Sequence, residues 1–181
     1  MKKSMKITTN KGRKIEVYTD GSAKGNGTKN SIGGWGFIVL VNGNLVHADS
    51  GCSPLTTNQK MELQAAIEAC KYLQNRYSSF DSFTIFSDSA YLINCVNNKW
   101  YNNWLENGWT NSKGQPVANK TYWQELLPFF DDFRFKFVKV KGHSNIEYNN
   151  FVDELAQNAA NRCKKVVEKI KKGKSNENSN N

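Results

Sequence analysis

The sequence lacks the features of an exported, membrane-embedded or cysteine-stapled protein. Its longest apolar run is far shorter than the ~20 residues that span a bilayer, and no apolar region follows the charged residues 1–6. The cysteines form no CxxC pair and are widely spaced, at Cys52, Cys70, Cys95 and Cys163. This spacing argues against a zinc knuckle or a disulfide framework. We therefore expect a cytoplasmic protein without membrane association.

Acidic residues are scarce at both ends of the chain. Residues 1–14 carry six Lys or Arg and no acid, and residues 164–181 carry six Lys and two Glu. The intervening residues 15–163 are nearly neutral, with 13 basic and 14 acidic side chains. Basic arms commonly bind polyanions, although a role in solubility explains each arm equally well.

The total of 181 residues is suited to one domain with a sizeable core. We expect this domain to occupy residues 14–165, after a basic N-terminal arm over residues 1–13. The Asn-rich, basic tail over residues 166–181 has little to bury and is expected to be disordered.

Hydrophobic patterning predicts an α/β fold in the order βββαβ, then helices around an aromatic-rich segment, then βα. The first strand is expected to end on Asp20, before a Gly- and Asn-rich loop over residues 21–34. The Asn42-Gly43 hairpin signal joins the next two strands, so that strands one to three form an antiparallel meander. The later strand–helix alternation implies that strands four and five are parallel. Helices should flank this five-stranded mixed sheet, the last of them over residues 147–170, and His47 is expected to be exposed on the third strand.

Four acids fall at the boundaries of these elements. Asp20 and Asp88 end strands, whereas Glu62 and Asp153 border the apolar faces of helices that must pack on the sheet. Three of them have ordinary alternatives: a turn for Asp20, the helix dipole for Glu62, and an N-cap for Asp88. If the four converge, their mutual repulsion requires divalent cations, and oxygen ligands favour Mg²⁺ or Mn²⁺ over zinc or copper. Several carboxylates can hold two such ions about 3.5–4 Å apart for phosphoryl displacement.

The segment 99–123 is unusually rich in aromatic residues. They are Trp100, Tyr101, Trp104, Trp109, Tyr122 and Trp123, and they surround a polar stretch over residues 111–120. With Lys113 and Lys120 nearby, these rings can offer a surface to nucleic acid. The alternative is a small aromatic core under a protruding loop. We expect most of the rings to pack in such a core and one or two to face a partner.

Five ordered segments resemble the signature segments of type 1 ribonuclease H. They are Tyr18-Thr19-Asp20-Gly21-Ser22, Thr57-Asn58-Gln59-Lys60-Met61-Glu62-Leu63, Ser87-Asp88-Ser89, Lys139-Val140-Lys141-Gly142-His143 and Asp153-Glu154-Leu155-Ala156. The resemblance implies a ribonuclease H-like fold with a handle-like protrusion over about residues 99–123. It also implies an endonuclease that hydrolyses the RNA strand of RNA–DNA hybrids without reading sequence, leaving 5′-phosphate and 3′-hydroxyl ends.

The resemblance further implies roles for individual residues. Asp20, Glu62, Asp88 and Asp153 match the family's ligands for two Mg²⁺ ions, for which Mn²⁺ can substitute. His143 matches a loop histidine that assists proton transfer or product departure, although a simple phosphate contact is also open. The substrate-binding candidates are Asn26, Thr57, Asn58, Gln59, Trp104, Lys113 and Lys120. A monomer is expected.

Two departures from the family pattern weaken substrate binding. Ala90 replaces a longer polar residue, and Glu106-Asn107 occupies a segment of the handle that is basic in strongly handle-dependent members. The basic arms are expected to compensate in part.

Three rival classes fit the sequence less well. A non-catalytic hybrid-binding protein is expected to lack one of the four acids, and a reverse-transcriptase fragment is expected to carry polymerase sequence upstream. A transposase or junction resolvase shares the fold and the metals, but its local motif around the second acid differs from residues 58–62.

Overall fold

The computed structural model of the protein describes residues 12–142 and 147–178, with side chains described up to residue 170. The strands are β1 (Lys14–Lys24), β2 (Ile32–Val41), β3 (Asn44–Pro54), β4 (Ser82–Ser87) and β5 (Phe135–Lys139). The helices are α1 (Asn58–Arg76), α2 (Ala90–Asn97), α3 (Trp100–Glu106), α4 (Lys120–Phe130) and α5 (Glu147–Asn178). Within these described ranges, no helix is both long and apolar enough to cross a bilayer.

The strands form one mixed sheet in the order β3-β2-β1-β4-β5. Strands β1, β2 and β3 pair antiparallel, whereas β4 pairs parallel with both β1 and β5. This arrangement confirms the predicted five-stranded sheet with an antiparallel meander and a parallel half. It also makes β1 the central strand, with the two kinds of pairing on its two sides.

Side-chain alternation along β1 gives the sheet two covered faces. Ile15 and Val17 are buried in one core cluster with Leu63 of α1. On the opposite face, the Tyr18 ring lies 5.6 Å from the ring of Tyr148 at the start of α5. Helix α1 and helix α5 therefore cover opposite faces of the central strand.

Helix α5 can approach the sheet closely because β2 carries a glycine beneath it. A Cβ atom added at Gly34 would lie 2.1 Å from the carbonyl oxygen of Ala156 and 2.6 Å from the amide nitrogen of Ala160. Any side chain at this position would push the helix away from the strand. The glycine therefore sets the height at which α5, and with it Asp153, lies over the sheet.

The prediction that the first strand ends at Asp20 is wrong. Strand β1 continues to Lys24, and its pairing with β2 extends to Lys24 opposite Ile32. Its parallel pairing with β4 ends earlier, at Thr19 opposite Ser87. Asp20 is therefore the first residue of β1 beyond the parallel ladder, so the sheet opens beside it on the β4 side only.

Two further expectations differ from the structure. Helix α5 extends to Asn178, so the backbone is helical through residues 166–178, where composition predicts disorder. Adding residues to an existing helix needs no new nucleus, and Lys and Glu favour helix, which accounts for the extension. His47 is half-buried rather than exposed, because its ring stacks 4.0 Å from the ring of Tyr72 on α1.

Candidate active site

The four predicted acids line one pocket of about 220 Å³, at the carboxyl end of β4 and beside Asp20 within β1. Its lining residues are Asp20, Gly21, Ser22, Asn58, Glu62, Asp88, Asn149, Asp153 and Gln157. The acids come from two strands and from one helix on each face of the sheet. Their convergence at the open side of β1 is the geometry that the sequence pattern predicts.

Asp20 lines this pocket and interacts with the charges of two of the other acids. The Gly21 amide donates a hydrogen bond to Asp20 Oδ1 at 2.8 Å, which orients the carboxylate. Burial raises the pKa of Asp20 to about 8, and the negative charges of Asp88 and Asp153 add to the effect. The protein alone therefore leaves the negative charge of this site poorly compensated.

Glu62 lies on the second turn of α1 and is held by a serine of another element. Ser89 Oγ donates a hydrogen bond of 2.5 Å to Glu62 Oε2. Burial raises the pKa of Glu62, Asp88 adds to this rise, and the hydrogen bond from Ser89 opposes it. Glu62 thus shares the unfavourable electrostatics of Asp20 but has a fixed orientation.

The N-cap interpretation of Asp88 is wrong, because the next residue does the capping. Ser89 Oγ accepts a hydrogen bond from the Leu92 amide at 3.2 Å, so Ser89 is the N-cap of α2. Ser89 therefore has two contacts, one to the helix it begins and one to Glu62. Asp88, directly after β4, lines the acid pocket.

The loop after β5 begins against Asp88. A Cβ atom added at Gly142 would lie 2.5 Å from Asp88 Oδ2, so the glycine allows this close approach. His143, the predicted fifth catalytic residue, lies outside the described residues. The position of Gly142 nevertheless brings the chain to the acid pocket immediately before His143.

Asp153 is flanked on α5 by two polar residues that the sequence reasoning missed. Gln157 Nε2 donates a hydrogen bond of 2.8 Å to Asp153 Oδ1. Asn149 is 4% exposed, and both residues line the acid pocket. The three residues are spaced at i, i+4 and i+8, so they share one side of the helix. This helical spacing from Asp153 is the feature of the sequence that could have identified Asn149 and Gln157.

The donor set of the pocket fits a hard divalent cation. All four charged donors are carboxylates, and the raised pKa of Asp20 marks negative charge that a cation would offset. Among the described residues, no group of three or more His, Cys, Asp or Glu side chains is arranged so that it could hold a metal ion by itself. Magnesium suits such an open arrangement, because it keeps several waters and takes only one or two carboxylates together with substrate phosphates.

The predicted substrate-binding residues at the start of α1 form a network with the loop after β1. Asn26 Oδ1 accepts a hydrogen bond from the Asn58 amide at 3.0 Å, and Asn58 Oδ1 accepts one from the Ala23 amide at 2.5 Å. Thr57 is the N-cap of α1 and accepts a hydrogen bond from the Lys60 amide. These bonds fix the loop and the helix terminus beside the acid pocket, which Asn58 itself lines. Gln59 lies one residue further along and is exposed.

The aromatic segment forms the small core that was the alternative to a binding surface. Trp123 is fully buried, and the ring of Trp104 packs 5.5 Å from it and 6.0 Å from Trp109. Trp100 is the most exposed of the tryptophans here, at 37%. This confirms that most of the rings pack together.

The two predicted lysines of this segment stay at the surface. Lys113 and Lys120 are exposed, and Lys120 Nζ lies 6.0 Å from the ring of Trp109. Trp104 is half-buried. None of these three residues lines the acid pocket described above.

Comparison with known proteins shows which family the chain resembles. A family model described as RNase H matches residues 12–161. A protein named Ribonuclease H from Clostridium botulinum is 43% identical over 147 residues, which cover 81% of this chain and 95% of that protein.

Two solved structures share the fold. The crystal structure of LC9-RNase H1, described as a type 1 RNase H with the type 2 active-site motif, gives a TM-score of 0.71 at 27% identity and covers 83% of this chain and 73% of that one. The foamy viral protease-reverse transcriptase in complex with RNA/DNA hybrid gives a TM-score of 0.69 at 25% identity. It covers 81% of this chain and 20% of that one.

Proposed function

The chain belongs to the ribonuclease H family, and we infer from this membership that it is an endonuclease that hydrolyses the RNA strand of RNA–DNA hybrids. The observation that carries the inference is the convergence of Asp20, Glu62, Asp88 and Asp153 on one pocket, within a chain that matches the family over residues 12–161. The products are 5′-phosphate and 3′-hydroxyl ends.

We propose that the four carboxylates hold two divalent cations, Mg²⁺ with Mn²⁺ as a substitute. Such ions, when bound, supply the charge that activates water and stabilises the leaving 3′-oxygen. The oxygen-only donor set and the raised pKa of Asp20 support this proposal. Both features describe a site whose negative charge calls for a cationic partner.

The neighbouring residues prepare these carboxylates before substrate binds. The Gly21 amide orients Asp20, Ser89 orients Glu62, and Gln157 orients Asp153. Hydrogen bonds that fix the ligands reduce the reorganisation needed when charge develops in the transition state. We assign Ser89 and Gln157 as positioning residues for this reason.

His143 is proposed to assist proton transfer or product departure. The close fit of Gly142 against Asp88 supports this role, since Gly142 directly precedes His143 in the chain. Histidine is the side chain that most often serves as general acid or base in catalysis, which fits this proposed role.

Substrate recognition is proposed to depend on the backbone of the hybrid rather than on base sequence. The network of Asn26, Asn58 and the Ala23 amide presents polar groups beside the cleavage pocket. With Thr57 and Gln59, it is suited to contacts with phosphates, sugars and minor-groove edges.

The protrusion is proposed to add a second contact through Trp104, Lys113 and Lys120. We propose a monomeric, cytoplasmic enzyme whose catalytic domain spans residues 14–165. In this view the basic residues at both ends of the chain add sequence-independent attraction to the hybrid.

A matched pair of acid-to-amide variants tests this function. A uniformly labelled RNA–DNA hybrid is incubated with Mg²⁺, Mn²⁺ or EDTA and either the wild-type protein, Asp20→Asn or Asp49→Asn. Asp49 lies exposed on β3 and serves as the control. EDTA and Asp20→Asn should each reduce cleavage at least about 100-fold, whereas Asp49→Asn stays active. Cleavage without metal, or full activity of Asp20→Asn, would overturn the mechanism.

A further inference from the structure

Two cysteines that are distant in the chain meet at the edge of the sheet. Cys52 lies on β3 and Cys163 on α5, and their side chains face each other. The wide spacing of the cysteines in the sequence argued against a disulfide framework and did not indicate this contact, which arises from the fold. It lies outside the acid pocket and its lining residues.

The geometry of β2 explains why the two thiols meet. Cys52 lies directly opposite Gly34 in the pairing of β3 with β2. Gly34 is the residue on which α5 rests, because a Cβ atom added there would lie 3.0 Å from Ala159 Cβ. Cys163 follows Ala159 by one helical turn and projects from the same side of α5. The thiol of Cys163 therefore lies over β3, beside Cys52.

A second contact fixes the same alignment independently. Arg162 Nη2 donates a hydrogen bond to Ser50 Oγ at 3.0 Å. Ser50 and Cys52 are two residues apart on β3, so both side chains project to the face that α5 covers. The polar contact and the thiol pair thus join consecutive residues of α5 to alternate residues of β3. The register of helix and strand at this point does not depend on one interaction.

We propose that Cys52 and Cys163 form a reversible disulfide that fastens α5 to the edge strand β3 when the protein meets a disulfide oxidant such as oxidised glutathione. The Cys52 thiolate attacks one sulfur of glutathione disulfide, which forms a mixed disulfide and releases one glutathione thiolate. The Cys163 thiolate then attacks the Cys52 sulfur, forms the intramolecular bond and releases the second glutathione thiolate. The protons lost by the two cysteines are taken up by the two glutathiones, so atoms and electrons balance.

Cys52 and Cys163 are more accessible to solvent than the other two cysteines. Cys52 is exposed and Cys163 half-buried, whereas Cys70 and Cys95 are fully buried. Desolvation of its sulfur, with Cys163 adding to the effect, raises the pKa of Cys52 to about 11. Because the thiolate is the attacking species, crosslinking should accelerate roughly tenfold per pH unit between pH 7 and 9.

The position of the pair determines what the crosslink would do. Ala159 and Ala160 are buried against the sheet, whereas Val166 is 56% and Ile170 54% exposed. The thiols therefore lie where α5 loses its contact with the sheet and the helix becomes free to fray. A disulfide there would hold the helix end in place and restrict local opening around Lys164 and Lys165.

The test uses the full chain, first fully reduced. It is treated with oxidised glutathione at pH 8, quenched in acid, denatured, alkylated and analysed by intact mass and peptide mapping. The expected product has lost two hydrogen atoms, keeps two alkylated thiols, and contains a peptide pair joined through Cys52 and Cys163. Oxidation should raise the thermal midpoint by about 5–10 °C and slow tryptic cleavage at Lys164 and Lys165 about tenfold. A reductant should reverse both effects.

Two serine variants serve as controls for the disulfide, and two results with the wild-type protein would overturn the proposal. Cys52→Ser and Cys163→Ser, each treated in the same way, should show no crosslink and no change in thermal midpoint or tryptic rate. Glutathione adducts on both cysteines of the wild-type protein without a crosslink would overturn the proposal. A crosslink that left the thermal midpoint and the tryptic rate unchanged would also overturn it, because the thiols would then have met only after α5 had opened.

Discussion

Ser89 combines two roles, and replacing it should separate a cost in stability from a cost at the proposed metal site. Its hydroxyl accepts a hydrogen bond from the Leu92 amide as the N-cap of α2 and donates one to Glu62. Loss of an N-cap costs about 1 kcal/mol. For a domain of this size, that corresponds to a fall of about 2–4 °C in the thermal midpoint of Ser89→Ala.

Loss of the hydrogen bond from Ser89 to Glu62 should appear as a higher Mg²⁺ requirement for cleavage. A hydrogen bond to a charged group contributes about 1.5–3 kcal/mol, which is roughly a 10- to 100-fold effect on an equilibrium constant. Part of this is recovered by water, because Glu62 lines an open pocket. We therefore expect the Mg²⁺ concentration for half-maximal cleavage by Ser89→Ala to rise about tenfold.

The assay compares Ser89→Ala with Ser89→Thr, which keeps a hydroxyl for both contacts. Thermal unfolding measures the cap, and hybrid cleavage titrated with Mg²⁺ measures the orientation of Glu62. Ser89→Thr should resemble the wild-type protein in both measurements. If Ser89→Ala lost stability but needed no more Mg²⁺ than Ser89→Thr, the hydrogen bond to Glu62 would have no part in preparing the site.

Three further predictions concern stability and substrate binding. Arg13 Nη2 lies 2.7 Å from Asp81 Oδ2, and this contact holds the pKa of Asp81 at about 2. The stability that the pair contributes is therefore complete above about pH 4 and is lost as pH falls towards 2. Asp81→Asn should therefore lower the free energy of unfolding by about 1–2 kcal/mol at pH 7, with the difference from wild type vanishing near pH 2 in urea titrations; a constant difference would contradict this. Gly34→Ala should cost about 3 kcal/mol or more in urea unfolding, since the new methyl group meets the backbone of α5, and a near-neutral result would refute the close packing. Deleting residues 1–12 and 166–181 should raise KM and flatten its dependence on salt, and an unchanged salt slope would remove the proposed role of the basic ends.

The sequence was sufficient for those features that depend on local pattern. Alternation along a strand puts Ile15 and Val17 on one face, and in the structure both are buried in one cluster with Leu63 of α1. Asp20, Glu62, Asp88 and Asp153 could be grouped because each was predicted at the boundary of an element that must meet the same sheet, although β1 continues past Asp20. The antiparallel meander and the parallel pairing of β4 with β5 followed from the hairpin signal and the strand–helix alternation.

Features that depend on contacts between distant elements could not be predicted in this way. The continuation of β1 beyond Asp20 depends on its pairing with β2, and the burial of His47 depends on Tyr72 of α1. Likewise, Cys52 and Cys163 lie side by side because α5 packs closely on β2. No periodicity within a single segment carries such information.

The electrostatics of the site explain why its carboxylates must be held so firmly. A carboxyl whose pKa rises from 3.8 to about 8 on folding, as at Asp20, opposes folding in its ionised form, and this penalty grows as pH rises from about 4 to 8. The same holds in direction for Glu62, whose pKa is also raised. The fold must therefore supply the stability that keeps these groups together, through the buried contacts of α1 and α5 with β1 and β2. A cation that neutralises the pocket would remove this cost of ionising Asp20 and Glu62. The repulsion that makes the ionised carboxylates unfavourable is therefore also what favours the binding of a cation.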